Sequence, residues 1–279
     1  MRTLPMRRRR QRIWFERWVR EGYSLRQLSQ QSGLPRITLR RIVHHWLAHP
    51  PQPTLELSLH RHLIVDSTYL RGRRAVVTVV MNARTNTAVA GSYGVHEAAG
   101  SMQRFCAQLA QRGLRPTGIT TDGSPALVRY LRAQWPDAVL QRCLVHLQRQ
   151  GLSWCRQRPT RADAQQLRRL FRALIPVCSR QARDRWIERF VAWEQHYGWR
   201  IDLCPERGWV FSDLKRARSS VVNALADMFH YLDHPGLAST SNGLEGYFSR
   251  LKPKYRQHRG LSRRHRQAYI HWYLHLCLT

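Results

Sequence analysis

Lysine is nearly missing from this chain and acidic residues are scarce. Only three lysines occur among 279 residues, Lys215, Lys252 and Lys254, and Asp and Glu together number 17. With Lys and Arg totalling 47, arginine supplies 44 of the cations, the formal net charge at pH 7 is +30 and the pI is near 11.5. No apolar run approaches the roughly 18 residues that span a bilayer, which excludes a transmembrane helix. The basic start, "MRTLPMRRRRQR", lacks the apolar segment of a signal peptide, so the expectation is a soluble protein of the cytoplasm. Six cysteines (106, 143, 155, 178, 204, 277) contain no CxxC pair. That spacing argues against a structural zinc site and for reduced, mostly buried thiols. Internal repeats and low-complexity segments are absent too, apart from the arginine run at 7–10. A hydrophobic content of 43% rules out wholesale disorder, and the length suffices for one sizeable core with an accessory domain.

What is present in excess is positive charge. Such a field attracts polyanions and releases their counterions on binding. A membrane surface would call for a basic amphipathic helix or a lipidation motif, and neither stands out, so nucleic acid is the expected partner.

The chain divides by period. In residues 1–49, "RQRIWFERWVR" carries Ile13, Trp14, Trp18 and Val19 at helical spacing. Ser24 and Gln27 form a capping-box start before Leu25 and Leu28. Gly33 makes a turn, and Pro35 opens a helix carrying Ile37, Leu39, Ile42 and Val43. Helix, short helix, glycine turn and helix is a helix-turn-helix order, whose last helix would offer Arg36, Arg40, Arg41 and His44 to DNA. A plain three-helix packing unit with solvated arginines is the other reading. Three prolines within 50–53 mark a linker over 50–61.

From Leu63 the period shortens. "LIVDSTYL", "AVVTVVMN" and "NTAVAGSYG" read as a three-strand meander joined at "RGRR" and "NARTN". A helix over 97–112, a strand "GITTDGS", a helix "PALVRYLRAQW", and a strand running into a helix at "AVLQRCLVHL" complete βββαβαβα over 62–152. The expected fold class is therefore α/β, a ribonuclease H-like mixed sheet. An all-helical insertion is expected over 153–235, and 236–279 completes the core.

Only four acids lie between Leu63 and His146: Asp66, Glu97, Asp122 and Asp137. Asp66 and Asp122 each end an apolar strand, and in this layout the first and fourth strands are neighbours. Two close carboxylates repel unless a cation lies between them, and hard oxygen ligands suit Mg²⁺ or Mn²⁺. Glu245 could complete the set if its helix crosses the sheet, so that three carboxylates hold two ions about 4 Å apart. Each member has a structural alternative. Strand-end aspartates are ordinary turn residues, and Asn242 with Glu245 reads as a capping box. Cys143 and His146 could be half a zinc site, but no second pair of suitable spacing exists.

"LIVDSTYLRG", "GITTDGSPAL", "QRCLVHLQRQ" and "TSNGLEGYFSRLK" together resemble the DDE transposases of bacterial insertion sequences, most closely the Mutator-type group. The resemblance covers about residues 62–258. It implies a metal-binding catalytic triad of Asp66, Asp122 and Glu245, an accessory Asn242, and a helical insertion before the glutamate. It also implies a Cys143–His146 element with His146 near the scissile phosphate and Cys143 structural. It would make the chain a nucleoid-associated enzyme using two Mg²⁺ or Mn²⁺ ions. Its partners would be double-stranded DNA, both terminal inverted repeats and target, and a second copy or higher oligomer during synapsis. Lys252 and Lys254, on the glutamate helix, would hold DNA. A structure-selective nuclease or resolvase on the same core, or a helix-turn-helix regulator with an inert core, are the alternatives. The tryptophans of the insertion, Trp186, Trp193 and Trp199, either stack on DNA or fill a helical core.

Overall fold

The computed structural model describes residues 4–52, 56–71, 75–95, 100–203, 208–258 and 260–278. Three helices come first: α1 (Leu4–Glu21), α2 (Leu25–Ser32) and α3 (Arg36–Ala48). The capping box forms as the sequence predicts. Ser24 Oγ accepts from the Gln27 amide at 3.3 Å, and Gln27 Oε1 accepts from the Ser24 amide at 2.9 Å. Gly33 ends α2 at φ 69°, a left-handed cap that turns the chain sharply into α3. Two apolar positions of the expected stripes face out instead: Ile13 and Ile37 are half exposed, while Phe15 is fully buried.

The sheet follows: β1 (His62–Arg71), β2 (Ala75–Asn82), β3 (Thr87–Tyr93), α4 (Gly100–Gln111), β4 (Gly118–Thr121), α5 (Pro125–Gln134), β5 (Val139–Arg142) and α6 (Leu144–Trp154). The expected element order holds. The "RGRR" turn, Glu97 and the start of the helix expected from 97 fall largely outside the described residues. Strand order is β3-β2-β1-β4-β5, with β1, β2 and β3 antiparallel and β4 and β5 parallel to β1. The result is a mixed sheet with a meander on one side and αβ units on the other.

Side-chain alternation gives the sheet two faces. Leu63, Val65, Val80, Ile119 and Leu140 pack under α4 and α5. Ile64, Val77, Val79 and Met81 pack against α11 (Asn242–Arg256) and α12 (Arg263–Leu276). The N-terminal helices join this second layer. Phe15 meets Trp272 edge-on with ring centroids 5.0 Å apart, and Trp272 Nε1 donates to the Trp46 carbonyl at 2.8 Å. One hydrophobic cluster thus links α1, α3, α11, α12 and the sheet.

Between α6 and α11 lie α7 (Ala162–Arg172), α8 (Arg180–Trp193), a π-helical turn (Glu194–Gly198), α9 (Trp199–Leu203), α10 (Gly208–Ala224) and two 3₁₀ turns. They enclose a second core around Phe171, Trp186, Phe190 and Trp193, which also takes in Leu144 and Leu147 of α6. Trp186 and Trp193 are buried, their indole N–H groups donating to the carbonyls of Leu170 and Asp163 at 2.9 Å each. Neither can stack on DNA; of the three tryptophans only Trp199 is exposed. Gln141, fully buried at the end of the sheet, ties this unit down: its side chain donates to the Met228 carbonyl and accepts from the Tyr231 amide. Among the described residues, no helix is long and apolar enough to cross a membrane.

Candidate active site

The parallel pairing of β1 with β4 runs from His62↔Gly118 to Val65↔Thr121. The next residues in register are Asp66 and Asp122. The two residues therefore follow directly on neighbouring strand positions where β4 ends. Alternation puts Asp66 on the face that carries Ile64, beneath α11, and it is 6% exposed. Its Oδ1 accepts from the Ser67 amide at 2.8 Å. Asp122 does perform turn chemistry, since its Oδ1 accepts from the Ser124 amide at 2.9 Å. That bond also fixes the carboxylate's direction, so turn and site roles coexist.

Gly123, at φ 77°, makes the turn possible, and a Cβ there would collide with the Arg142 guanidinium. Arg142 ends β5 opposite Thr121, lying over Gly123 beside Asp122. Burial pulls its pKa down, partly offset by the Asp122 charge, and its Nε is buried without a hydrogen-bond partner.

The chain turns from β5 directly into α6 through Cys143, whose amide donates to the Thr121 carbonyl at 2.8 Å. His146 sits on the first turn of α6. Between them stands Ser241, fully buried: its Oγ lies 3.3 Å from Cys143 Sγ and 3.1 Å from His146 Nδ1, and its amide donates to Cys143 Sγ at 3.2 Å. With Nδ1 engaged by Ser241, the opposite ring nitrogen is left for other partners. The hydrogen bond with Cys143, helped by the nearby Cys143, Asp66 and Asp122 charges and opposed by burial, raises the His146 pKa to about 9. Burial alone would push the Cys143 thiol up, but its bonds to His146 and Ser241 outweigh that and lower it. Cys143 and His146 are thus one hydrogen-bonded unit with Ser241.

The segment before α11 is fastened to the sheet. Thr120 Oγ1 donates to the Ala238 carbonyl at 2.5 Å, and the Leu144 amide donates to the Ser239 carbonyl at 3.0 Å. α11 then lies across β1 and β2, with Leu244, Tyr247 and Leu251 buried beneath it. The alternative reading, a capping box of Asn242 with Glu245, does not form: the N-cap is Ser241, and Asn242 is the first helical residue. The physical reason is tertiary. Ser241's hydroxyl is committed to Cys143 and His146, so the helix begins where that anchor ends, and no side-chain cap bond forms. Glu245 points instead to α6, where its Oε1 accepts from Arg149 Nη1.

His146 lies near Asp66 and Asp122, whose charges it feels, while Glu245, on α11, is bonded to Arg149 of α6. Among the described residues, no three His, Cys, Asp or Glu side chains already converge as a metal cluster. Arg36, Arg40, Arg41 and His44 are all exposed on α3. Lys252 is partly exposed on α11. Lys254 is drawn into packing: its stem covers Gly22 and its Nζ lies 5.7 Å from the centre of the Tyr273 ring. Sequence reading missed Ser241, Arg142 and Arg149, since a chain with 44 arginines gives no local sign of which ones sit at a site.

Comparison with known proteins places the chain in a family. The profile of the family described as "Transposase, Mutator family" matches residues 38–199, more than half of the chain. The chain belongs to the Mutator family of transposases. The matched span contains Asp66, Asp122, Cys143 and His146 and stops before α11. The chain is also similar to a "Probable transposase for insertion sequence element" of Corynebacterium diphtheriae, 31% identical over 90 residues. That match covers 32% of this chain and 26% of the relative's length. In this Mutator-family chain, the strand-end aspartates and the Cys143–Ser241–His146 unit thus fall at the heart of, or are anchored to, the family-matched region.

Proposed function

We propose that this chain is a DDE-type transposase that cuts DNA at the ends of its element and joins them to a target. The observation that carries the reading is that Asp66 and Asp122 each follow directly on the last parallel pair, Val65↔Thr121, while the Glu245 helix packs on β1 and β2. The strand order supports a ribonuclease H-like core, and the α1–α3 arrangement with its exposed arginines supports a helix-turn-helix module for duplex DNA.

The donors present fit hard divalent cations. They are carboxylate oxygens, two of them adjacent, and Glu245 already binds a cationic group in Arg149. Two Mg²⁺ or Mn²⁺ ions held by Asp66, Asp122 and Glu245 would activate the attacking oxygen and stabilise the leaving one. The chain's own groups do the rest. His146, protonated at neutral pH and held through Nδ1 by Ser241, donates a hydrogen bond to a non-bridging oxygen of the scissile phosphate. Arg142 places a fixed positive charge beside Asp122. Asn242, one turn from Glu245, supports the helix start near the site. Arg36, Arg40, Arg41, His44 and Lys252 hold the DNA backbone and orient the phosphate.

Each chemical step is an in-line substitution at phosphorus. Water first displaces the element's 3′-oxygen, and the freed 3′-hydroxyl then displaces a target oxygen, so one site serves both. Joining two ends requires a dimer or larger assembly with terminal inverted repeats and target DNA.

The test uses purified full-length protein, duplexes carrying the inverted repeats that flank the gene, and a supercoiled target. Metal-dependent nicking and joining by the wild type is expected, with loss of both and retained end binding in Asp66→Asn, Asp122→Asn and Glu245→Gln. Nicking without joining would make the protein a nuclease. End binding with no metal-dependent chemistry would overturn the catalytic reading.

A further inference from the structure

Glu245 stands apart from the two aspartates in one respect. Asp66 is buried and hydrogen-bonded to its own strand end, and Asp122 is fixed by its turn. Glu245 is bonded across to another helix, to Arg149 on α6. Arg149 follows His146 by three positions, so both occupy the same face of α6, over the site. The side chain of Arg149 is 62% exposed, whereas that of Glu245 is 28% exposed. The guanidinium therefore reaches in from solvent to meet an anion at the site's edge. Its helix is anchored on its opposite side by Leu144 and Leu147 in the helical core.

We infer that Arg149 is a positioning residue that holds Glu245 at the site as a stand-in cation, and that a divalent ion must displace it. The inference rests on the triad reading above. On that reading three carboxylates share one place and repel one another, and a lone glutamate on a helix surface would rotate toward water. A guanidinium on Glu245 removes that repulsion and keeps the carboxylate where an ion will need it. Because guanidinium and ion compete for the same oxygens, the strength of the pair subtracts from ion affinity. A half-exposed pair of this kind is worth little, which keeps the exchange easy. A buried, fully hydrogen-bonded pair would block it.

The experiment is a double-mutant cycle read by Mn²⁺ titration of full-length protein without DNA, using the electron paramagnetic resonance signal of free Mn²⁺. Arg149→Gln is expected to tighten Mn²⁺ binding about two- to fivefold, the range set by a surface ion pair. In a Glu245→Gln background the same change is expected to have no effect, because the competition has lost its object. Arg149→Lys, which keeps charge but loses the planar fork, should fall between Arg and Gln.

Arg149→Gln that leaves Mn²⁺ affinity unchanged overturns the inference. So does an equal gain in both backgrounds, which marks a general field effect. The triad reading fails separately if Glu245→Gln alone leaves Mn²⁺ affinity untouched. Circular dichroism of each variant checks that helix content is retained, so that a folding defect cannot imitate either result.

Discussion

His258 makes a pH test of how the N-terminal helices are joined to the rest of the chain. It follows α11, packs on Trp18 of α1 with ring centroids 3.9 Å apart, and lies against Tyr269 of α12. Its Nε2 is 3.1 Å from the Trp18 carbonyl, so that nitrogen carries the proton and donates. Burial lowers its pKa from 6.5 to about 4, against a smaller opposing effect of the carbonyl. The folded state therefore holds His258 neutral, while the unfolded chain protonates it below about 6.5. Stability from this group is complete above the unfolded value and drains away as pH falls from 6.5 to about 4.

A shift of that size corresponds to about 3 kcal/mol in full, of which about 2 kcal/mol is lost between pH 7.5 and pH 5. His146 acts with the opposite sign. Its raised pKa gives stability that is complete below 6.5 and lost as pH rises toward about 9. The wild-type profile alone thus mixes the two. His258→Gln, which can still donate to the Trp18 carbonyl, isolates the first. Urea unfolding at pH 7.5, 6 and 5 should show the variant losing about 2 kcal/mol less than the wild type over that range. Equal pH dependence in the two proteins would refute the argument, and with it the claim that α1 closes over His258.

Two further predictions concern other parts of the molecule. At Gly151 on α6 a Cβ would overlap the Phe171 ring, so Gly151→Val should cost about 1–3 kcal/mol or more by overpacking, read as a lower urea midpoint. If α3 binds the DNA backbone as proposed, replacing Arg40 and Arg41 by Gln should make the slope of log affinity against log salt shallower by about 0.9 for each phosphate no longer neutralised; an unchanged slope would remove α3 from the interface.

The sheet, and the position of Asp66 and Asp122 at neighbouring strand ends, were legible because each rests on a local pattern with one geometric outcome. "LIVD" and "GITTD" are apolar strands that end in aspartate, and once β1 and β4 are parallel neighbours their ends must coincide. The tertiary choices were not legible. At the start of α11 the local signal, Asn-x-x-Glu, favours a capping box, yet Ser241 takes the cap position because two side chains 95 and 98 positions away claim its hydroxyl. α3 ends at Ala48, before the proline-rich segment, but nothing local says that Trp46 will bond to Trp272, 226 positions on. Likewise, nothing local says that the stem of Lys254 will cover Gly22.

The same limit explains the arginines. Net charge treats every arginine alike, whereas the proposed function depends on which few lie within reach of a carboxylate. Arg149 and Arg142 belong to α6 and to the strand leading into it, where the chain passes from the sheet to the helical unit. That passage is fixed on one side by Leu144 and Leu147 in the helical core and on the other by Ser241. The helical unit consequently does more than occupy space between Asp122 and Glu245. By holding α6 it sets the position of His146 and Arg149, so a core substitution such as Gly151→Val, which disturbs α6 from behind, is expected to loosen Mn²⁺ binding as well as stability. If ion binding stays unchanged while stability falls, α6 is positioned from the sheet side alone.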